Sequence, residues 1–151
     1  MTDAPLSVGV IGVGSMGRNH VRVYRELAET DLVGVADADR EAAARVAGEY
    51  GTDAFATGDL LSRVDAVSVA VPTSAHAPLV ADAIDAGVHV LVEKPFVADP
   101  DEGRALADAA RDAGLTLQVG HVERFNPAVR TLASILPGLD VIAVTAERLG
   151  P

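Results

Sequence analysis

The chain has 151 residues, 49% of them apolar and 3% aromatic, which suffices for one domain with an aliphatic core. Its formal net charge of −10 argues against nucleic acid or an anionic membrane surface as a partner, because both require clustered lysine and arginine. The absence of cysteine excludes disulfides, a thiolate nucleophile and cysteine metal sites.

The N-terminal segment has no sign of a secretory signal. Residues 1–5 include an acid and no basic cluster, and glycines interrupt the apolar run that follows. No window approaches the length of a membrane span. We therefore expect a cytoplasmic protein, and we assign no metal ligands and no membrane partner.

Short apolar runs alternate with helical patterns along most of the chain. We predict strands at residues 6–11, 32–36, 66–71, 88–92 and 115–119, and helices at residues 17–29, 40–50, 59–63, 76–86 and 100–113. Most of the strands are apolar on both faces, which favours a parallel sheet covered on both sides. The alternation therefore predicts the α/β class, with a doubly wound parallel sheet and right-handed crossovers.

Start and stop residues support these helix bounds. Asp39 is the predicted N-cap of the helix at residues 40–50, and Gly51 is its predicted C-cap. Gly87 and Gly114 lie where helices end before strands.

The pattern changes after residue 120. A helix is predicted at residues 126–136, with Asn126 as its N-cap and Pro127 in its first turn. Residues 140–149 mix apolar and polar side chains, which predicts a half-exposed edge strand. We expect this edge to pair with another copy of the chain or with the chain's own sheet, so a homo-oligomer is one expected state.

A glycine loop joins the first strand to the first helix, with the pattern G-x-G-x-x-G at Gly12-Val13-Gly14-Ser15-Met16-Gly17. In this position the first glycine permits a tight turn, the second lets a pyrophosphate approach the backbone, and the third lets the helix pack closely on the sheet. The N–H groups at the helix start then face the phosphates. Alone, the motif also fits a glycine-rich turn without a ligand.

Asp37 ends the second strand about 20 residues beyond the loop, where an acid accepts hydrogen bonds from the adenosine ribose. The loop and this acid together predict dinucleotide binding. A carboxylate there repels a 2′-phosphate, so we expect NAD; NADP is less favoured, although Arg40 could clamp that phosphate. The alternative role, capping the next helix, suits Asp39 better.

Glu93, Lys94 and Pro95 place a charged pair and a rigid proline directly after an apolar strand. The carboxyl end of a buried parallel strand opens on the crevice in which α/β proteins bind ligands. A lysine in that crevice can exchange a proton with a reacting group. The alternative is a surface lysine that pairs with its own Glu93.

Taken in order, these motifs resemble those of the glucose-fructose oxidoreductase, inositol dehydrogenase and MocA (Gfo/Idh/MocA) family. The resemblance covers essentially the whole chain and rests on the glycine loop, Asp37, Pro72-Thr73-Ser74-Ala75-His76, Glu93-Lys94-Pro95 and Gly120-His121-Val122-Glu123-Arg124-Phe125-Asn126-Pro127. The last segment is most similar to that of enzymes that oxidise the 3-hydroxyl of UDP-N-acetylhexosamines or their uronic acids.

The resemblance implies a catalytic role for the charged turn. Lys94 would contact the reacting sugar hydroxyl and assist proton transfer while a hydride passes to the nicotinamide. Glu93 would orient the lysine or the ribose. Pro95 would fix the turn through a cis peptide bond.

It also implies contacts on either side of that turn. Pro72, Thr73 and His76 would line the nicotinamide end of the crevice; a solvated or capping role is the alternative for His76. His121 would face the substrate, and Arg124 would pair with a phosphate or carboxylate of a nucleotide sugar. Both of these could equally serve structure.

The domain organisation implied is a NAD(P)-binding Rossmann domain at residues 1–120, followed at 121–151 by the connecting helix and first strand of a truncated substrate domain. We therefore expect the cofactor domain of a dehydrogenase that moves a hydride from a secondary hydroxyl of a sugar or nucleotide sugar to NAD. The alternatives are a dinucleotide-binding module without catalysis, acting as a redox sensor or partner-docking subunit, and a glycosidase of the same family that uses NAD transiently.

Overall fold

A computed structural model describes residues 4–147 of the chain. The chain divides into two compact units, residues 1–120 and residues 121–151. The described part of the first unit is built from the strands β1 (Leu6–Ile11), β2 (Thr30–Ala36), β3 (Asp53–Ala54), β4 (Ala66–Val69), β5 (His89–Val92) and β6 (Leu117–Val119). Its helices are α1 (Ser15–Glu26), α2 (Arg40–Tyr50), α3 (Thr57–Leu61), α4 (His76–Asp85) and α5 (Pro100–Asp112).

The strands form one parallel sheet in the order β3-β2-β1-β4-β5-β6. The chain runs outward from β1 to β3 and then returns to place β4 on the other side of β1. The connections after β1 and β4 therefore leave in opposite directions, and a ligand crevice is expected where their carboxyl ends separate. This order confirms the predicted doubly wound fold.

Helices cover both faces of the sheet. Since successive residues of a strand point to opposite faces, each strand contributes side chains to both faces. On one face, Val10 of β1 belongs to a core with Val21 of α1 and Val46 of α2. On the other face, Val69 of β4 belongs to a core with Val80 of α4. Aliphatic side chains build both cores, as the composition predicts.

Local sequence signals predicted several element bounds correctly. β1 and α2 begin and end at the predicted residues. Asp39 caps α2, since its carboxylate accepts from the amides of Glu41 and Ala42 at 3.0 Å, and Gly51 ends it in the left-handed conformation. β3 was not predicted, because two residues carry no periodic signal.

The second unit is described separately, through residue 147. It contains a 3₁₀ turn at Val122–Phe125, helix α6 (Pro127–Ile135) and a further turn at Leu136–Gly138. Asn126 caps α6 as predicted, because its side-chain oxygen accepts from the amide of Ala128 at 3.0 Å.

The predicted edge strand at residues 140–149 is wrong over the part that the structure describes. Residues 139–147 adopt no regular secondary structure, and residues 148–149 lie outside the described range. A strand needs a neighbour to complete its hydrogen-bond ladder, and residues 140–147 have none. Between residues 4 and 147, no helix is both long and apolar enough to cross a membrane.

Candidate functional site

The glycine loop connects β1 to α1 at the carboxyl end of the sheet. Gly12 has a φ angle of +91°, and a Cβ there would overlap the backbone carbonyl of Ala70. A Cβ on Gly17 would overlap the carbonyl oxygen of Gly12. Gly14 differs, because a Cβ there meets no atom within 4 Å. The first and third glycines are therefore required by the protein's own packing, whereas the second faces open space.

The first turn of α1 is suited to an anion. Gly14 is its N-cap residue and offers no side chain, and this turn contains no acidic residue. In contrast, Asp39 caps α2 and Asp99 caps α5 with carboxylate oxygens. Amides at a helix start carry partial positive charge and bind phosphate groups. Ser15 and Met16, two predicted cofactor contacts, are exposed residues of this turn.

A crevice of about 380 Å³ opens at the carboxyl ends of β1, β2 and β4. Four of the predicted site residues line it: Gly12, Gly14, Asp37 and Pro72. The sequence did not identify the rest of the lining, which is Ile11, Ala38, Thr57, Ala70, Val71, Ala75 and Leu79. Most of these are apolar, so their residue type marks no ligand contact, and only the order of the strands brings them together.

Asp37 ties the glycine loop to the end of β2. Its Oδ2 accepts from the amide of Val13 at 2.8 Å, and its Oδ1 accepts from the amide of Asp39 at 2.9 Å. Each carboxylate oxygen has two acceptor positions, so Asp37 retains capacity for ribose hydroxyls. The sequence predicted that Val13 contacts the cofactor. In the structure the amide of Val13 donates to Asp37 and the Val13 side chain is buried, so neither group is directed at a cofactor.

Arg40 is separated from this crevice. It is exposed and lines a neighbouring cavity of about 340 Å³, together with Phe55 and Asp59. The structure therefore places Asp37, and not Arg40, beside the glycine loop.

Lys94 lies in an exposed position two residues after β5, at the same edge of the sheet. It is the only lysine among the 12 lysine and arginine residues of the chain. Arginine keeps its proton in proteins, whereas lysine can release one. Of the lysine and arginine side chains, Lys94 is therefore the one that can exchange a proton. The peptide bond between Lys94 and Pro95 is cis, as predicted.

His76 is buried and does not present a ring nitrogen to the crevice. Its Nε2 lies 2.9 Å from the carbonyl oxygen of Val71, and its Nδ1 lies 3.0 Å from the carbonyl oxygens of both Pro95 and Phe96. The predicted contact between His76 and the cofactor is thus replaced by a structural one. The ring joins the segment after β4 to the turn that carries Lys94. Thr73 is half-buried in the 3₁₀ turn between β4 and α4.

Replacing His76 with leucine is expected to lower the free energy of unfolding by about 1 to 3 kcal/mol, because the backbone carbonyls around the ring lose the hydrogen bond that its N–H group donates. Urea unfolding followed by circular dichroism measures this change. His121→Leu is the control, since His121 is exposed, and its expected change is within about 0.5 kcal/mol. Equal stabilities of the two variants would contradict the assigned role.

A second histidine, His20, was missed by the sequence analysis. Its Nε2 lies 3.0 Å from Oε1 of Glu93, and its Nδ1 lies 3.1 Å from the hydroxyl of Ser68. Two signals could have found this cluster: His20 follows Gly17 at helical spacing on the face of α1 that packs on the sheet, and Ser68 is a polar residue within a buried apolar strand.

His121 and Arg124 belong to the second unit, where both are exposed. Arg124 lies in the 3₁₀ turn at Val122–Phe125. Their predicted contacts with a substrate stay predictions.

Comparison with known proteins gives a family match over most of the chain. The model of the GFO_IDH_MocA family, described as an oxidoreductase family with an NAD-binding Rossmann fold, matches residues 6–121. A UDP-N-acetylglucosamine 3-dehydrogenase from Acidithiobacillus ferrooxidans is 43% identical over 147 residues, which are 97% of this chain and 46% of that protein. Inositol 2-dehydrogenase 4 from Saccharopolyspora erythraea is 37% identical over 142 residues, covering 90% of this chain and 42% of the relative.

Solved structures agree with these matches. The Acidithiobacillus ferrooxidans enzyme superposes with a TM-score of 0.81 over 85% of this chain and 42% of its own. A 3-ketoreductase from Actinomadura kijaniata, in complex with NADP and TDP-benzene, superposes with a TM-score of 0.82 at 30% identity, over 89% of this chain and 42% of its own. The chain therefore spans less than half the length of these relatives.

Proposed function

The chain belongs to the Gfo/Idh/MocA family of oxidoreductases, and from this premise we propose that it forms the cofactor half of a dehydrogenase acting on a secondary hydroxyl of a nucleotide sugar. One observation carries the proposal. The glycine loop, the Asp37 carboxylate and the chain's only lysine all follow parallel strands, so they lie at the same edge of one sheet.

Different residues at this edge would bind different parts of the cofactor. The first-turn amides of α1 would bind the pyrophosphate, and the open space at Gly14 would admit it. Asp37 would accept hydrogen bonds from the adenosine ribose. NAD, when bound, supplies the nicotinamide ring that accepts a hydride from the alcohol carbon.

Lys94 would handle the proton of the reacting hydroxyl. Its side chain is exposed at the carboxyl edge of the sheet, while the backbone on either side of it is held by Glu93 and His76. An amine there can accept the hydroxyl proton as the alcohol becomes a ketone, which is general base catalysis. Arginine would supply charge but no such exchange.

The nucleotide-sugar class is supported by two relatives. One, 43% identical, is a UDP-N-acetylglucosamine 3-dehydrogenase, and another, a 3-ketoreductase, was solved in complex with NADP and TDP-benzene. The segment of the sequence that contains His121 and Arg124 supports the same class through its own resemblance. The 3-hydroxyl of a UDP-N-acetylhexosamine, or of its uronic acid, is the proposed site of oxidation.

Calorimetric titration of the chain with NADH tests the cofactor half of the proposal, and the absence of binding at millimolar NADH would contradict it. Turnover is then measured as NADH formation from NAD and UDP-N-acetylglucosamine, in a hybrid in which residues 1–120 replace the matching part of the Acidithiobacillus ferrooxidans relative. Cofactor binding without turnover of any sugar would favour a binding module over an enzyme. Sugar hydrolysis with no net NADH would favour a glycosidase.

We further propose that NAD is preferred over NADP, because Asp37 lies in the crevice and Arg40 lies outside it. Replacing Asp37 with alanine is expected to weaken NADH about tenfold or more, through loss of charged hydrogen bonds to the ribose. The affinity for NADPH is expected to change less, since a repulsive charge is also removed. Calorimetric titration with both cofactors measures the change in their ratio.

Asp39→Ala is the matched control for Asp37→Ala. It removes a neighbouring carboxylate that caps α2 and does not line the crevice. The expected result is a loss of about 1 kcal/mol of stability with an unchanged ratio of NADH to NADPH affinity. A ratio that changes equally in both variants would remove Asp37 from cofactor selection.

A further inference from the structure

A series of hydrogen-bonded polar side chains lies between α1 and the sheet and ends at Glu93. The hydroxyl of Tyr24 lies 2.7 Å from that of Ser68, which lies 3.1 Å from Nδ1 of His20. Nε2 of His20 lies 3.0 Å from Oε1 of Glu93. Ser68 is fully buried, and the side chains of His20 and Glu93 are 16% and 13% exposed.

For a neutral imidazole, one direction of proton donation satisfies every hydrogen bond in this series. The Glu93 carboxylate only accepts, so Nε2 of His20 is the donor to it. Nδ1 then accepts from the hydroxyl of Ser68, which in turn accepts from the hydroxyl of Tyr24. In the neutral ring, the hydrogen bonds therefore assign His20 the tautomer with its proton on Nε2.

The Glu93 carboxylate is confined on its other sides as well. Its Oε2 accepts from the backbone amide of Lys94 at 3.2 Å. A Cβ on Gly120 would lie 3.2 Å from both carboxylate oxygens, so the end of β6 closes one side of the group. The carboxylate thus joins the α1 side of the sheet to the backbone of the lysine.

The backbone around Lys94 is held at both ends while its side chain stays exposed. On the N-terminal side of the lysine, His20 contacts Glu93, which binds the Lys94 amide. On the C-terminal side, His76 contacts the carbonyl oxygens of Pro95 and Phe96. A shift of about 1 Å in a reacting group can lower a rate roughly a hundredfold, so such fixation has a direct value for catalysis.

We propose that His20 is a positioning residue for Lys94, which it fixes through the carboxylate of Glu93, with Ser68 and Tyr24 setting its tautomer. This rests on the proposed function only in giving Lys94 a catalytic task. The positioning itself is a property of the chain without cofactor and is measurable separately.

The single lysine makes the experiment direct. Labelling the chain with ¹⁵N-lysine gives one backbone amide signal, that of Lys94, because the sequence has no other lysine. Replacing His20 with phenylalanine keeps a ring but removes both hydrogen bonds. It is expected to shift that signal and to speed its hydrogen exchange about tenfold, as expected for loss of a charged hydrogen bond.

Two further variants separate positioning from general destabilisation. His20→Gln keeps an N–H donor for Glu93 and is expected to restore exchange to within about twofold of the unmodified chain. His89→Phe removes a histidine from the opposite end of the sheet, where its Nδ1 accepts from the amide of Thr116 at 2.9 Å. It is expected to leave the Lys94 signal unchanged.

Several outcomes would overturn the proposal. These are an unchanged Lys94 amide in His20→Phe, an equal change in His89→Phe, or a histidine ¹⁵N spectrum that places the His20 proton on Nδ1. If His20→Phe does not fold, Ser68→Ala is measured instead, and an unchanged Lys94 amide and His20 tautomer there would count equally against it. A chain that fails to bind NADH yet shows the expected exchange would contradict the proposed function alone.

Discussion

Replacing Gly14 with valine is expected to weaken NADH binding about a hundredfold while leaving the fold intact. A Cβ at this position meets no protein atom within 4 Å, so the protein itself can accommodate the side chain. The same space is where a pyrophosphate would approach the first-turn amides of α1. Calorimetric titration measures the affinity, and thermal unfolding measures the stability.

Gly48→Val is the control for Gly14→Val. Gly48 lies in α2 and also faces open space, so an identical change is made far from the glycine loop. Its expected effect on NADH affinity is less than about twofold, and its effect on stability is less than about 0.5 kcal/mol, since glycine and valine both disfavour helix. If Gly14→Val bound NADH as tightly as Gly48→Val, the phosphate would have to lie elsewhere.

Replacing Lys94 with alanine is expected to lower turnover about 10²- to 10⁴-fold, the usual contribution of a general acid or base. NADH affinity is expected to stay within about threefold, because the lysine acts on the substrate hydroxyl. Since the chain spans less than half the length of its relatives, a hybrid is used for the measurement. In it, residues 1–120 replace the matching part of the Acidithiobacillus ferrooxidans enzyme.

Lys94→Arg separates charge from proton exchange in that hybrid. Arginine keeps the positive charge but holds its proton, so turnover is expected to stay as low as in the alanine variant. Recovery of most of the turnover with arginine would indicate that charge alone is required. Unchanged turnover in both variants would exclude Lys94 from the mechanism.

The sequence predicted the elements whose signals are local. β1 is a continuous apolar run that ends at the glycine loop, and α2 is bounded by Asp39 and Gly51, whose cap geometry depends on neighbours in the chain. The alternation of strands and helices gave the parallel class of the sheet. Lys94 was identified as a site residue from local sequence too, because its position after an apolar strand is evident without any tertiary contact.

Predictions failed where a residue depends on distant partners. Residues 140–147 have strand-forming side chains but no neighbouring strand. His76 was predicted to touch a cofactor, yet it is buried against carbonyls of the turn that follows Lys94. Thr57 and Leu79 line the crevice only because α3 and α4 pack beside β1 and β4.

The sequence by itself determined the fold class, the glycine loop, the acid after β2 and the identity of the exposed lysine, since each follows from residue type and spacing. Only the tertiary structure decided how that lysine is held. Its supports, His20 and His76, lie 73 and 19 residues from the groups they bind. A sequence signal can mark such a histidine as packed on the sheet, but it does not identify the partner, because these hydrogen bonds exist only once the sheet has assembled.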